Sequence, residues 1–232
     1  VCLVSSILQC ITGFGFAIIC MPLLLIVLPV KTAAAVVALA SLILNSQVAF
    51  NMRKHINFKI VIIPIIASFA GRILGMNILM TLNENLLKAI LGVILILITI
   101  YFIFYKEKAR VKPTKINGAI FGFLSGILGG MFNTGGPPLV MYFLFAVKDK
   151  LSYIGTIQFA FAIGNLYSVI LHILNGNLNV SIASMSLIGI AAVTIGSYVG
   201  CKLVKRIKDI NMPIYISMIL MGIFLIVESS IT

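Results

Sequence analysis

One charged side chain stands inside a long apolar run, and it is the first candidate for chemistry. Arg72 lies thirteen residues into the apolar segment that starts near Ile60. A charge at that depth costs about 3 kcal/mol on insertion scales, so a functional role is the default hypothesis. An anion bound beside the guanidinium would compensate this cost. Two structural alternatives stay open: the side chain reaches outward to the membrane surface, or it binds backbone carbonyls.

Two glycine-rich stretches supply the next candidates. The clearer is GILGGMFNTGGPPLVMYF, Gly126–Phe143, which is poor material for a continuous membrane helix. We predict a turn there, with Pro137 in the first turn of a returning half-helix and Asn133 or Thr134 near its cap. That helix N-terminus would offer unpaired N–H groups and a positive dipole end to an anion. The alternative is that the glycines only allow close helix packing.

The predicted substrate-binding residues therefore lie in two turns. They are Asn133, Thr134, Gly135 and Gly136 in the second half of the chain, and Thr12, Gly13, Phe14 and Gly15 in the first half. Arg72 joins both groups as the charged member of the predicted site.

Amide side chains within apolar segments complete the predicted site. Asn45 and Asn165 follow the two glycine-rich stretches at matching positions, and Gln158 lies near the second of them. Amides in membrane helices either bond to neighbouring helices or line a cavity. We include Asn45, Asn165 and Gln158 among the substrate-binding candidates, with Gln9 as a weaker one. His172 is interpreted as a polar group at the membrane surface, with proton coupling as the alternative.

Composition places all these residues in a membrane. Of 232 residues, 61% are hydrophobic and 9% are charged, with a mean hydropathy of +1.20, which excludes an ordinary soluble domain. The net charge of +12 comes from lysines and arginines in short loops, so cytoplasmic loops explain it better than nucleic acid. The four cysteines lack metal-ligand spacing. We expect neither a metal nor another cofactor.

The chain repeats itself. TGFGFAIICMPLLLIVL and LGGMFNTGGPPLVMYFLF each precede an asparagine-bearing segment and then a glycine pair. The repeat pairs Gly13 with Gly129 and Pro22 with Pro138. It also pairs Asn45 with Asn165, and Gly71 and Gly75 with Gly196 and Gly200. Weak internal repetition of this type is typical of transporters.

Charge placement decides between two topologies. If all eight apolar segments cross the membrane, the lysines and arginines divide evenly between its two sides, against the positive-inside rule. If residues 1–30 and 116–147 instead enter and return, fourteen of the seventeen lie on one face. These fourteen lie in residues 53–59, 106–115, 148–150 and 202–208. The second topology inverts one copy relative to the other and places both termini outside.

The predicted fold is an all-α polytopic membrane protein built from two inverted repeats, each a re-entrant hairpin followed by three transmembrane helices. The first repeat, 1–105, has its hairpin at 1–30 and helices at about 32–51, 60–80 and 86–105. A basic cytoplasmic linker covers 106–115. The second repeat, 116–232, has its hairpin at 116–147 and helices at about 151–174, 180–201 and 212–230. With arms of about 20 and 16 Å, the second turn would lie near the bilayer midplane.

At these residues the sequence resembles the TauE/SafE family of sulfite-exporter-like permeases. The second half carries the closer match, at Gly122, Ser125, Gly126, Gly129, Gly135, Gly136, Pro137, Pro138 and Tyr142. The first half departs from the pattern, with GFGFAIICMP where a longer glycine run is common. The resemblance implies transport, commonly export, of small anions such as sulfite or organosulfonates.

We therefore expect a secondary transporter that exports small sulfur-containing anions by alternating access. It would lie in the inner membrane of a bacterial-type cell, with its basic loops cytoplasmic. The inside-negative potential favours anion exit by about 2.3 kcal/mol per charge for each 100 mV. An anion channel and a non-transporting assembly subunit are the alternatives. An enzyme is disfavoured because no nucleophile and base converge. The expected partners are the anion, the bilayer and, from the small residues of FGFLSGILGG, a possible second copy.

Overall fold

The computed structural model of the chain describes residues 1–104, 111–178, 180–203 and 211–231. Within these ranges the chain forms ten α-helices, one short 3-10 turn at Arg53–His55 and no strand. The helices are α1 Cys2–Thr12, α2 Phe16–Leu24, α3 Val30–Asn51, α4 Phe58–Thr81, α5 Glu84–Phe104, α6 Lys115–Phe132, α7 Gly136–Ala146, α8 Lys150–Leu174, α9 Val180–Leu203 and α10 Asn211–Ile231.

Six described helical segments are long and apolar enough to cross a bilayer. They are Val30–Asn51, Phe58–Thr81, Glu84–Tyr101, Lys115–Phe132, Lys150–Leu174 and Ser186–Leu203. The protein is a multi-pass membrane protein. The helices after the two hairpins begin and end within two residues of the predicted bounds wherever they are described. Residues 106–110 of the predicted basic linker, and the predicted basic loop beyond 203, lie outside the described residues.

The second hairpin differs from the expectation in its first arm. We predicted an arm of 116–128, whereas α6 continues to Phe132 and is 18 residues long. Gly126, Gly129 and Gly130 are therefore helical. Because they have no side chain, α6 can pack tightly on α4. A Cβ atom at Gly126 would lie 2.9 Å from the Cα of Gly71, and one at Gly130 would lie 2.9 Å from the Cα of Arg72. Only residues 133–135 form the turn.

Each hairpin packs its first arm on a helix from the other half of the chain. Helix α6 runs parallel to α4, and α1 runs parallel to α9. Glycines allow both contacts, since Gly196 faces Ser6 and Gly200 faces Cys10. The small residues of the FGFLSGILGG stretch are thus used within the chain. A homodimer stays a prediction.

Two of the other large contacts join helices of the same rank in the two halves, and α3 also packs on α9. Helices α3 and α8 pack together and carry the two asparagines. Helices α5 and α10 pack together where Gly92 faces Gly222, and the ammonium of Lys88 lies 2.8 Å from a carboxylate oxygen of Glu228. The two hairpin turns lie against the α3–α8 pair, because Asn133 bonds to the carbonyl of Ala34 on α3 and Gln158 on α8 bonds to the carbonyl of Gly13.

Candidate anion site

Arg72 is buried in the middle of this arrangement. Its side chain is 3% exposed, so the alternative in which it reaches outward to the membrane surface is wrong. One terminal nitrogen, Nη1, donates a hydrogen bond to the hydroxyl of Ser168 on α8, and its Nε is buried without a hydrogen-bond partner. No carboxylate in the described part of the chain lies within ion-pair distance of the guanidinium. This buried cation lacks the compensation that such groups normally have.

Two glycines make the space that the guanidinium occupies. A Cβ atom built on Gly129 of α6, or on Gly164 of α8, would lie 2.9 Å from the Cζ of Arg72. Any side chain at either position would therefore displace the guanidinium or force the helices apart. These glycines fix the place of the charge between α4, α6 and α8.

The turn of the second hairpin brings polar groups next to this charge. Asn133 ends α6 in the left-handed conformation, with φ at 57°. Its Nδ2 donates to the carbonyl of Ala34 at 2.8 Å, while its Oδ1 and the hydroxyl of Thr134 are buried without partners. The Ser125 hydroxyl donates to the carbonyl of Gly135 at 2.5 Å, which ties the turn to α6.

Helix α7 begins beside the residues predicted to lie near its cap. Its N-cap is Gly135, directly after Thr134, and no side chain caps it. Pro137 and Pro138 occupy the second and third helical positions and carry no N–H. Gly136 is therefore the only residue of the first three that offers an amide proton. The prolines therefore reduce the number of N–H groups at this end, and the contribution of the remaining ones to anion binding stays a prediction.

Helix caps also correct the pairing of the two hairpins. Helix α1 ends at Gly13 with φ at 88°, and α6 ends at Asn133, so these two left-handed caps are equivalent. The N-caps of α2 and α7 are Gly15 and Gly135. Both pairs are 120 residues apart, as Asn45 and Asn165 are. Our pairings of Gly13 with Gly129 and of Pro22 with Pro138 are four residues out of register, because they matched residue identity rather than conformation.

An amide network organises the first hairpin. Gln9 on α1 donates through Nε2 to Oδ1 of Asn45 and, at 3.3 Å, to Oε1 of Gln158. Its Oε1 accepts the backbone N–H of Phe16 at 2.9 Å, which is the first N–H of α2. Gln158 completes the network by donating to the carbonyl of Gly13 at 3.1 Å. All three amides are buried, and both polar atoms of Gln9 and of Gln158 have hydrogen-bond partners.

The charge, the two turns and the amides surround one cavity of about 20 Å³. Nine of the twelve predicted site residues lie on its wall: Phe14, Gly15, Arg72, Asn45, Asn133, Thr134, Gly135, Gly136 and Asn165. Thr12, Gly13 and Gln158 do not. Thr12 donates to the carbonyls of Leu8 and Phe14, and Gly13 and Gln158 hold the first turn in place.

The comparisons with known proteins agree with the membrane architecture. Residues 1–226 match the family described as Sulfite exporter TauE/SafE. The chain belongs to the TauE/SafE family. It is also 25% identical over 204 residues to a protein of Cupriavidus necator named "Probable sulfite/organosulfonate exporter TauE", covering 83% of this chain and 77% of that relative. No solved structure matches the chain.

Sequence reasoning missed part of the wall of this TauE/SafE cavity. Ala17, Ile18, Ser41 and Phe161 line it, and Gln9, ranked as a weaker candidate, lines it as well. Ser41 lies one helical turn before Asn45 on α3, so this spacing was a usable signal. Nothing in the sequence marks Ala17, Ile18 or Phe161, because apolar side chains of this kind occur throughout the chain.

The chemistry of this wall suits an anion better than a cation. It carries one guanidinium and several amide and hydroxyl groups, and no carboxylate among the described residues that line it. The described residues also contain no group of three His, Cys, Asp or Glu side chains placed to hold a metal.

Proposed function

We propose that this TauE/SafE member exports small sulfur-containing anions, such as sulfite or a short sulfonate, through the cavity beside Arg72. The observation that carries the proposal is the buried guanidinium without a carboxylate partner. A bound oxyanion supplies the missing charge and accepts hydrogen bonds from Arg72 and the neighbouring amides. The printed name of the Cupriavidus necator relative supports the same substrate class.

The size of the cavity supports transport by alternating access. About 20 Å³ is room for about one water molecule, which is less than a sulfur atom and its oxygens need. The walls must therefore separate before an anion enters. We propose that the two halves are inverted repeats and that the hairpins, with the helices on which they pack, rock against the α3–α8 pair. In this proposal the hairpin turns lie near the bilayer midplane.

The direction follows from the membrane potential. With the basic loops cytoplasmic and both termini outside, an inside-negative potential drives a monoanion outward by about 2.3 kcal/mol per charge for each 100 mV. Export then needs no coupling ion.

The test is flux of labelled sulfite and of ethanesulfonate in proteoliposomes, with the imposed potential set to either sign. We expect saturable flux that follows the potential and shows counterflow. Arg72→Gln should lower it about 100-fold, because a charge-assisted hydrogen bond to the anion is lost. Lys115→Gln removes the same charge from an exposed position at the start of α6 and should leave flux unchanged.

One further variant and a folding check keep the test interpretable. Ser168→Ala removes the hydrogen-bond partner of Arg72 but keeps the charge, so flux should fall only a few-fold. Each purified variant is checked by its elution profile and melting temperature in detergent. A folded Arg72→Gln protein with wild-type flux would contradict the role of Arg72. Flux that does not saturate and shows no counterflow would indicate a channel instead.

A further inference from the structure

Part of the cavity wall is hydrocarbon. Phe14 from the first turn and Phe161 on α8 both line the cavity, and both are buried. They meet at Gly136, the first residue of α7. A Cβ atom built on Gly136 would lie 3.2 Å from the Cβ of Phe14 and 3.7 Å from the Cζ of Phe161. Two side chains of α2 add to this apolar patch: Ala17 and Ile18.

Helix α8 shows how the apolar patch lies relative to the charge. Four buried side chains spaced by four, three and four residues lie on one face of this helix: Phe161, Asn165, Ser168 and His172. The face is apolar at Phe161 and polar from Asn165 onwards. His172 is fully buried, so its interpretation as a polar group at the membrane surface is wrong. Because Ser168 accepts from Arg72, the guanidinium is displaced from the Phe161 ring towards the C-terminal end of α8.

A purely polar anion would use only part of such a wall. Each oxygen of a sulfite ion needs a hydrogen-bond donor when it leaves water, and phenyl rings and methyl groups supply none. An alkylsulfonate has two different ends that match the two parts of the wall. Its SO₃⁻ group accepts from Arg72 and from the hydroxyl of Thr134, which is buried without a partner. Its alkyl chain gains about fourfold in affinity for each CH₂ group that the patch buries.

We infer that Phe14 and Phe161 form an alkyl subsite, through which this transporter selects short-chain alkylsulfonates over sulfite. The inference rests on the proposed function and adds to it the specificity of the same cavity. The charged group stays at the second hairpin beside Arg72, and the alkyl chain points towards the two rings. One ring lies on the first hairpin and the other on α8, so the rocking of the hairpins against the α3–α8 pair widens the space between them.

The test measures half-saturating concentrations in proteoliposomes for sulfite and for methane-, ethane- and propane-1-sulfonate. In the wild type this concentration should fall about fourfold for each CH₂ group added to the sulfonate. Phe161→Ala should remove most of this dependence and leave the sulfite value within about twofold of wild type. Phe161→Leu keeps an apolar side chain and should keep the dependence. Phe159→Ala is the matched control, because this ring packs on Phe58 and does not line the cavity.

A comparison of two ligands gives a readout on the wild type alone, so it does not depend on any variant folding. In 2-hydroxyethanesulfonate a hydroxyl replaces the terminal methyl group of propane-1-sulfonate at nearly the same size. Against phenyl rings this hydroxyl loses its hydrogen bonds to water without gaining others. Its half-saturating concentration should be about tenfold or more above that of propane-1-sulfonate. Equal values for the two ligands would overturn the alkyl subsite.

The two proposals fail in different ways. If wild-type protein moves neither sulfite nor any sulfonate, the proposed function is wrong. If it transports these anions with no dependence on chain length, the alkyl subsite is wrong and the proposed function stands. A dependence on chain length that folded Phe161→Ala and Phe14→Ala proteins both retain would also overturn the assignment of the subsite to the two rings.

Discussion

Arg72 on α4 and Ser197 on α9 occupy matching positions in the two halves, each one residue after the first glycine of a pair. Both are buried, at 3% and 2% exposed, and each helix packs on the first hairpin arm of the other half. Arg72 reaches the cavity. Ser197 does not: its hydroxyl donates at 2.5 Å to Oε1 of Gln47, which in turn donates to Thr194 at 3.1 Å.

The helix caps explain why matching positions in the two halves hold side chains as different as Arg72 and Ser197. In the register that they set, Gly129 corresponds to Gln9 and Gly164 to Leu44. In the second half, glycines at these two positions leave space on α6 and α8, and the side chain of Arg72 from α4 fills this space. In the first half, the side chains of Gln9 on α1 and Leu44 on α3 fill the corresponding space.

The two hairpins differ in how completely their polar groups are bonded. Gln9 and Gln158 bond to each other, to Asn45 and to the backbone of the first turn, so the first hairpin is held without a ligand. The second hairpin lies beside the uncompensated charge of Arg72 and carries the unpartnered groups of Asn133 and Thr134. We therefore expect the anion to bind at the second hairpin rather than at the first.

The largest effect should come from closing the space around the guanidinium. Gly129→Ala places a Cβ atom 2.9 Å from the Cζ of Arg72, so the variant should lose most of its sulfite flux. The free energy of unfolding should fall by about 1–3 kcal/mol. Thermal unfolding in detergent and proteoliposome flux measure the two effects.

A double-mutant cycle separates this clash from a general intolerance of alanine. In the Arg72→Gln chain, Gly129→Ala should cost clearly less stability, because the shorter side chain leaves room. Gly189→Ala is the matched control, since only the Cys2 sulfur at 3.9 Å comes near a Cβ there. An equal cost with and without the arginine would contradict the assignment of this space to the guanidinium.

An intermediate effect is expected when the first hairpin is given a charge. Gln9→Glu places a carboxylate on the cavity wall, where it compensates Arg72 and repels an anion. The half-saturating concentration of sulfite should rise about tenfold or more. Gln47→Glu makes the same change beside Ser197, off the cavity, and should leave that concentration nearly unchanged. A Gln9→Glu protein with wild-type affinity would show that Arg72 does not need the anion as its counter-ion.

The smallest effect is expected from the N-terminal caps of the two central helices, α3 and α8. Helix α8 is capped by Asp149, which accepts the N–H of Ser152 at 2.8 Å, whereas α3 begins after Pro29 without a side-chain cap. The hydrogen bond from Ser152 lowers the pKa of Asp149, so the ionised carboxylate favours the folded state. Its contribution is present above about pH 4 and is lost as the pH falls through the lowered pKa.

Asp149→Ala should therefore lower the melting temperature slightly at pH 7 and leave flux unchanged. The difference from wild type should narrow in acid, as the wild-type carboxylate becomes protonated. Asp149→Asn keeps a capping acceptor and should lie between the two. A difference that grows as the pH falls would contradict the capping role.

Several parts of this site were predictable because their signals are local. A charge in an apolar run, the glycine-rich turns and the matched asparagines all identify themselves by residue type and spacing. The length of α6 was not predictable in this way, because Gly126 and Gly130 are weak helix formers, and their close contact with α4 is a tertiary feature. The cap at Gly135 was missed for a related reason, since contact with Ser125 on another helix holds it.

By itself, the sequence determined that this chain lies in a membrane, that its helices follow two glycine-rich stretches, and that it has the TauE/SafE pattern. These properties depend on hydropathy and local spacing, which every residue carries wherever it lies. Only the tertiary structure decided that Gln9 is satisfied, that Arg72 is not, and that His172 is buried next to Asn177. Hydrogen-bond satisfaction depends on which groups from distant segments meet, and only the packed helices bring them together.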